Sequence, residues 1–187
     1  MAESKNNIIT HGLSGKVGKM LVFSQRNGKT IVSAPPKQGA EQSDKQKAHL
    51  QLFQEAVIYA KNALKNAETK EAYAAAAEEG QTAYNIAVAD MMNAPDIEEI
   101  DLSAYTGKPG DTISIKATDD FKVTAVTVEI YNADGSVVEK GSAVLSDTGL
   151  EWVYKATTNN DDLHGDKIVV KATDLPANVS EMEQLIP

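Results

Sequence analysis

Hydrophobic and polar positions follow three successive rhythms along the chain. Up to Pro36 the apolar residues come in two short β-prone runs, Met20-Leu21-Val22-Phe23-Ser24 and Lys29-Thr30-Ile31-Val32-Ser33, joined by Arg26-Asn27-Gly28. Asn-Gly between such runs is a strong hairpin signal, because both residues accept the positive φ of a tight turn. A β-hairpin is therefore predicted over 19–33. Ahead of it Gly12, Gly15 and Gly18 recur every three residues, a density that costs a helix too much backbone entropy and predicts a loop or a close backbone contact. Ala34-Pro35-Pro36-Lys37 ends the hairpin, since neither proline can donate to a ladder.

From Ser43 the period becomes helical. Ser43 and Gln46 form a capping box, and Ala48, Leu52, Phe53, Ala56, Val57, Ala60, Ala63, Leu64 and Ala67 share one face, which predicts a helix to about Asn66. A second, alanine-rich helix is predicted from Thr69 to Glu79, with Gly80 as a left-handed cap. A third is predicted from Gln81 to Met92, with Ala83, Ile86, Ala87 and Met91 on its apolar side and Pro95 beyond its end. Faces this small imply close approach between helices.

After Pro95 the period shortens to two, with turn clusters every eight to twelve residues, the pattern of a β-sandwich. Strands are predicted at Glu98–Leu102, Thr112–Ala117, Thr124–Tyr131, Val137–Glu139, Ala143–Leu145, Glu151–Ala156, Lys167–Ala172 and Val179–Met182. Asn132-Ala133-Asp134-Gly135 supplies another Asp-Gly turn, and Val126, Val128 and Ile130 alternate with Thr127 and Glu129 to give one dry face and one wet face. Trp152, the one tryptophan, stands mid-strand and is expected to anchor the core.

Composition narrows the function classes. The 187 residues are 42% hydrophobic and 24% charged, an ordinary globular balance. No apolar run approaches the roughly 18 residues of a membrane helix, so no membrane insertion is expected. The opening MAESKNNIIT has neither a basic start nor an apolar core, and a cytoplasmic or particle-associated chain without a signal peptide is expected. The absence of cysteine removes disulfides, thiolate metal sites and cysteine nucleophiles. Charge is uneven: Met1–Lys47 holds 8 basic and 3 acidic residues, whereas the chain after Pro95 holds 7 basic and 18 acidic. A net charge of −9 disfavours nucleic acid as a partner of the whole chain.

Candidate chemistry is sparse. Gly28-Lys29-Thr30 imitates the end of a phosphate loop, but that motif needs glycine where Phe23 stands. His11, His49 and His164 fall in different predicted elements, so neither a zinc pair nor a base with its orienting group is visible. The acidic loop residues Asp119, Asp120, Asp162 and Asp174 are the calcium candidates, since that ion takes about six to eight oxygens. Turn chemistry is the favoured explanation of Asp and Asn there, because both bond their own backbone and no twelve-residue calcium loop is present. No catalytic residue, cofactor or established metal site is therefore expected.

Ile113-Ser114-Ile115-Lys116-Ala117-Thr118-Asp119 nearly repeats Ile168-Val169-Val170-Lys171-Ala172-Thr173-Asp174, so two strands close in the same Ala-Thr-Asp turn. With Asp174-Leu175-Pro176-Ala177-Asn178, this half resembles bacterial immunoglobulin-like domains over roughly 96–187. The resemblance implies a binding or spacer module without inherited catalytic residues. The whole chain also resembles a set of Bacteroidota proteins of no assigned activity, which open with Gly-x-Val-Gly-Lys, a hairpin and Pro-Pro-Lys, here Gly15 to Lys37.

The expected architecture is α+β: a Gly-rich arm and hairpin over 1–37, a three-helix segment over 38–95 and an antiparallel immunoglobulin-like β-sandwich over 96–187. An isolated two-stranded hairpin is marginal in water and has to dock on something. The expected function is therefore a non-enzymatic structural protein, a homo-oligomer or part of a larger assembly such as a phage virion. Its arm would supply Leu21, Phe23 and Ile31 as apolar contacts and Lys16, Lys19 and Lys29 as charges. The competing expectation is a monomeric immunoglobulin-like module that binds a glycan or a protein through loops 118–122 and 157–166.

Overall fold

Period-two and period-3.6 segments do become strands and helices in the computed structural model, which describes residues 2–4 by backbone alone, together with residues 8–26, 28–36, 39 and 41–186. Asn27 of the hairpin turn and Lys37 after the proline pair lie outside the described residues. The fold is α+β with three helices and antiparallel sheets, and the chain divides into two compact units, 1–49 and 50–187.

In the first unit, β3 (Leu21–Arg26) and β4 (Lys29–Ser33) form the predicted hairpin, with Phe23 opposite Val32 and Arg26 opposite Lys29. Gly28 takes φ +73° at the turn, a conformation open to glycine at no steric cost. The hairpin does not stand alone. β1 (Ala2–Ser4) adds to β4 and β2 (Gly15–Val17) adds to β3, giving the order β1-β4-β3-β2. The glycine-rich stretch predicted as a loop thus contains an edge strand. Gly18, at φ +58°, starts the turn that lets Val17 pair with Leu21.

The helices are α1 (Asp44–Ala63), α2 (Ala67–Ala75) and α3 (Ala83–Met92). Side-chain caps set their ends. The Ser43 and Gln46 box opens α1 as expected, with Ser43 N donating to Gln46 Oε1 at 2.9 Å. Asn66, predicted inside the first helix, instead caps α2 by accepting from Thr69 N, because its short amide competes better as a cap than as a helical side chain. Thr82 and Asn85 form the box that starts α3. Gly80 does not cap α2. That helix closes at Ala76 in a tightened last turn, and Gly80 lies in the connector beyond it.

Two four-stranded antiparallel sheets complete the second unit. β5 (Asp96–Asp101), β6 (Thr112–Thr118), β10 (Trp152–Lys155) and β9 (Val144–Leu145) form one, in the order β5-β6-β10-β9. β12 (Val179–Leu185), β11 (Lys167–Asp174), β7 (Val123–Tyr131) and β8 (Val137–Ser142) form the other, in the order β12-β11-β7-β8. Alternate residues of both sheets meet in one core centred on Ile113, Ile115, Val126, Val128, Ile130, Ile168 and Val170. Trp152, expected as the anchor, is only half-buried at the margin of this core. It faces inward beside Ile115, but its strand pairs outward only with the two-residue β9, which is too short to cover an indole.

A second cluster forms where the helices meet the sheets. Ala56 and Ala60 of α1 let the helices close around buried Tyr73, Ala87 and Val88, and Phe121 from the β6–β7 turn enters this cluster. The Phe121 ring lies 4.4 Å from that of Tyr73. From the sheet side, the β11–β12 turn sends Asn178 to the C-terminus of α3, where its Nδ2 approaches the carbonyls of Asp90, Met91 and Asn93 at 3.2, 3.3 and 3.1 Å. These are carbonyls a helix end leaves without intrahelical partners.

Candidate functional site

Two regions hold the residues singled out by sequence. The first is the N-terminal sheet. Strand alternation puts Leu21, Phe23, Val32 and Thr30 on one face, and the returning segment lies over part of it: Gly12 N donates to Thr30 Oγ1, while Gln25 Nε2 donates to Thr30 Oγ1 and to the Leu13 carbonyl. Phe23 and Thr30 are the buried residues among those described before α1. Ile8 (95% exposed), Ile9 (78%) and Met20 (77%) remain open to solvent, and Val17 and Leu21 are also exposed. Ile31 lies half-buried on the opposite face, and Lys16, Lys19 and Lys29 are exposed. Phe23 is therefore interior, whereas Leu21 and the lysines are surface groups.

The second region lies at the end of the sheets reached by α3. The β6–β7 turn brings Asp119 and Asp120 there, and the β11–β12 turn brings Asp174. Asp162 does not join them, because the β10–β11 loop leaves from the opposite end of the sheets. The residue that does join them is Asp90 of α3. One carboxylate oxygen from each of Asp90, Asp119 and Asp120 lies within 4.8 Å of the others.

Asp90 is completely buried. Its Oδ2 accepts from the Tyr73 hydroxyl, which in turn lies 2.9 Å from the hydroxyl of Tyr59. Asp119 Oδ2 accepts from the Phe121 and Lys122 backbone N–H groups at 3.3 and 2.7 Å, an ordinary Asp turn. Asp120 Oδ2 accepts from Asn93 Nδ2 at 2.8 Å and stands at the exposed rim. That leaves Asp90 Oδ1 and Asp119 Oδ1, both buried and both without a hydrogen-bond partner. Among the described residues, none of the ion pairs includes Asp90, Asp119, Asp120 or Asp174.

Burial pushes the Asp90 carboxyl up to about 7; the Tyr73 hydrogen bond opposes this and the charges of Asp119, Asp174 and Asp120 add to it. Burial raises Asp174 as well, against the Asn178 amide that donates to its Oδ2 at 2.7 Å. Sequence reasoning missed Asp90, although a signal was available. It follows Ala83 by seven residues, Ile86 by four and Ala87 by three, which places a carboxylate on the apolar face of its own helix.

No family model matches the chain, and no curated protein sequence is similar to it. Among solved structures, the crystal structure of an engineered protein at 1.98 Å resolution is 14% identical with a TM-score of 0.34, over 58% of this chain. The match spans 29% of that structure's length, and a likeness this low carries neither fold nor function. Among the described residues no helix is long and apolar enough to cross a membrane.

Proposed function

We propose that the chain is a non-enzymatic assembly protein whose N-terminal sheet is completed by a second copy, in the manner of a repeating component of a larger particle such as a virion. The observation that carries this reading is how few of the described residues before α1 are buried. Four short strands bury Phe23 and Thr30 while Ile8, Ile9 and Met20 stay in water. So small a sheet gains too little from burial to offset the entropy of ordering it.

Charge selects the partner. The basic arm suits the acidic half of another copy, and the outer face of the β5-β6-β10-β9 sheet carries Glu99, Asp101 and Glu151 around one depression that holds a single lysine, Lys116. Exchange of an identical element between copies closes into a ring or continues as a filament according to geometry. For the body that receives the arm, an immunoglobulin-like β-sandwich is the proposed fold. Lettered A to G in chain order, with β8 as C′, the two sheets read ABED and GFCC′, the immunoglobulin arrangement.

Light-scattering mass tests the reading on the full chain, on Lys16→Glu with Lys19→Glu, and on a chain beginning at Gln38. The full chain is expected to be a multimer at roughly 50 µM in low salt, and both variants and salt of about 0.5 M are expected to drive it toward monomer. A full chain that stays monomeric under those conditions overturns the proposal.

A further inference from the structure

We infer that Asp90, Asp119 and Asp120 form a binding site for a hard divalent cation, calcium in preference to magnesium, which ties α3 to the β6–β7 turn. An acidic cluster alone would not carry this. The independent observation is a fully buried carboxylate oxygen, Asp90 Oδ1, that has no donor, in a group with an oxygen within 4.8 Å of one from Asp119, whose Oδ1 is likewise buried without a donor. Most buried acceptors in folded proteins are satisfied by protein, water or an ion, and of the five buried side-chain atoms without a partner among the described residues these two belong to one carboxylate cluster. Two such orphans on neighbouring carboxyl groups, without a Lys, Arg or His ion-paired to either among the described residues, leave a place for a bridging cation, which competes there with a proton on Asp90.

The donor set identifies the class of cation. All three groups are carboxylate oxygens, with no nitrogen or sulfur among them, which suits calcium, magnesium or manganese and not zinc or copper. Oxygens within 4.8 Å of one another fit inside one calcium shell, whose opposite oxygens are about 4.6–5.2 Å apart. Magnesium demands a tighter octahedron, with opposite oxygens about 4.2 Å apart. Asp90 is the interior ligand, held by the Tyr73 hydroxyl on its other oxygen. Asp119 is held by two backbone N–H groups on its other oxygen, so both carboxylates are fixed in place. Asp120 stands at the exposed rim, where water fills the remaining positions.

The site uses residues on separate elements, the last turn of α3 and the turn between two strands. Occupancy therefore adds to the stability of the second unit, independently of whether the arm self-associates.

The test uses the full chain, stripped of metal, with calcium chloride as the probe in a calorimetric titration and a thermal melt. Calcium about 100-fold above its dissociation constant is expected to raise Tm by roughly 5–10 °C. Magnesium should act more weakly, and sodium at matched ionic strength should have no such effect. Asp119→Asn is expected to weaken calcium more than the roughly 10–100-fold that loss of a ligand-orienting partner costs. Asp90→Asn is expected to raise Tm without calcium, by removing a like charge, and to abolish the calcium response. Asp162→Asn, from the opposite end of the sheets, should leave that response unchanged. No heat and no Tm shift with calcium up to about 5 mM overturns the inference, since even weak extracellular calcium modules bind at about 0.1–1 mM. So does a response that Asp119→Asn and Asp90→Asn leave intact, and magnesium equal to calcium overturns the calcium assignment.

Discussion

Replacing Asn178 by alanine perturbs the join between α3 and the sheets at one amide group. Its Nδ2 donates to Asp174 Oδ2 at 2.7 Å and stands within 3.3 Å of the carbonyls of Asp90, Met91 and Asn93. An amide nitrogen has two hydrogens, so two of these acceptors are fully served at any moment and the others share. Asp174 is 2% exposed, so its bond behaves as a charge-assisted one in a dry setting, worth about 1.5–3 kcal/mol. The helix carbonyls add about 0.5–1.5 kcal/mol for the second bond. Asn178→Ala is therefore expected to destabilise the second unit by about 2–4.5 kcal/mol, with a Tm lower by roughly 4–18 °C. The assay is urea unfolding followed by Trp152 fluorescence, with the midpoint falling at unchanged slope. Asn159→Ala, whose exposed side chain bonds only the exposed Asp161, should stay within about 0.5 kcal/mol of the parent. A loss below about 1 kcal/mol for Asn178→Ala would refute the reasoning, because it would mean that water replaces the amide at no cost.

Other expectations follow from the same contacts. Glu129 is 4% exposed; its carboxyl is held down at about 2, first by the Lys140 ammonium at 2.5 Å and then by the Tyr131 hydroxyl. Because the folded value lies below the ordinary 4.5, its contribution is present above pH 4.5 and is lost as pH falls toward about 2. Urea midpoints measured between about pH 5 and 3 should therefore fall less steeply for Glu129→Gln than for the parent, and parallel slopes would contradict this. Gly107→Ala should be among the most damaging single changes, since the new Cβ would lie 2.2 Å from the Asn160 carbonyl oxygen at φ +85°. Gly110→Ala, also at positive φ but in open space, isolates the backbone strain of about 1–2 kcal/mol, and thermal melts should rank the two in that order.

The strands were legible because one buried face imposes strict alternation: Val126, Val128 and Ile130 point inward, and every predicted strand after Pro95 has its counterpart within a few residues. Helix ends were less legible, because Asn66 and Thr82 act through local side-chain bonds that leave no periodic trace. β1 and β2 were missed for a related reason. Three residues each, one strand opening with glycine, carry too little alternation to be read locally, and their pairing is fixed by β3 and β4. The carboxylate cluster was half legible. Asp119, Asp120 and Asp174 stood out as acidic turns, but grouping Asp162 with them required knowing which loops share an end of the sheets. Asp90 required weighing one charge against the apolar face it occupies.

If the N-terminal sheet owes its order to a second copy, as proposed, amide hydrogen exchange read as a function of protein concentration shows it directly. Amides of Leu21–Arg26 and Lys29–Ser33 should gain protection as the full chain is concentrated from roughly 1 to 100 µM, while core amides of Thr112–Thr118 and Lys167–Asp174 stay constant. Protection of the N-terminal strands that is already high and does not change with concentration would mean that the sheet is ordered without a second copy.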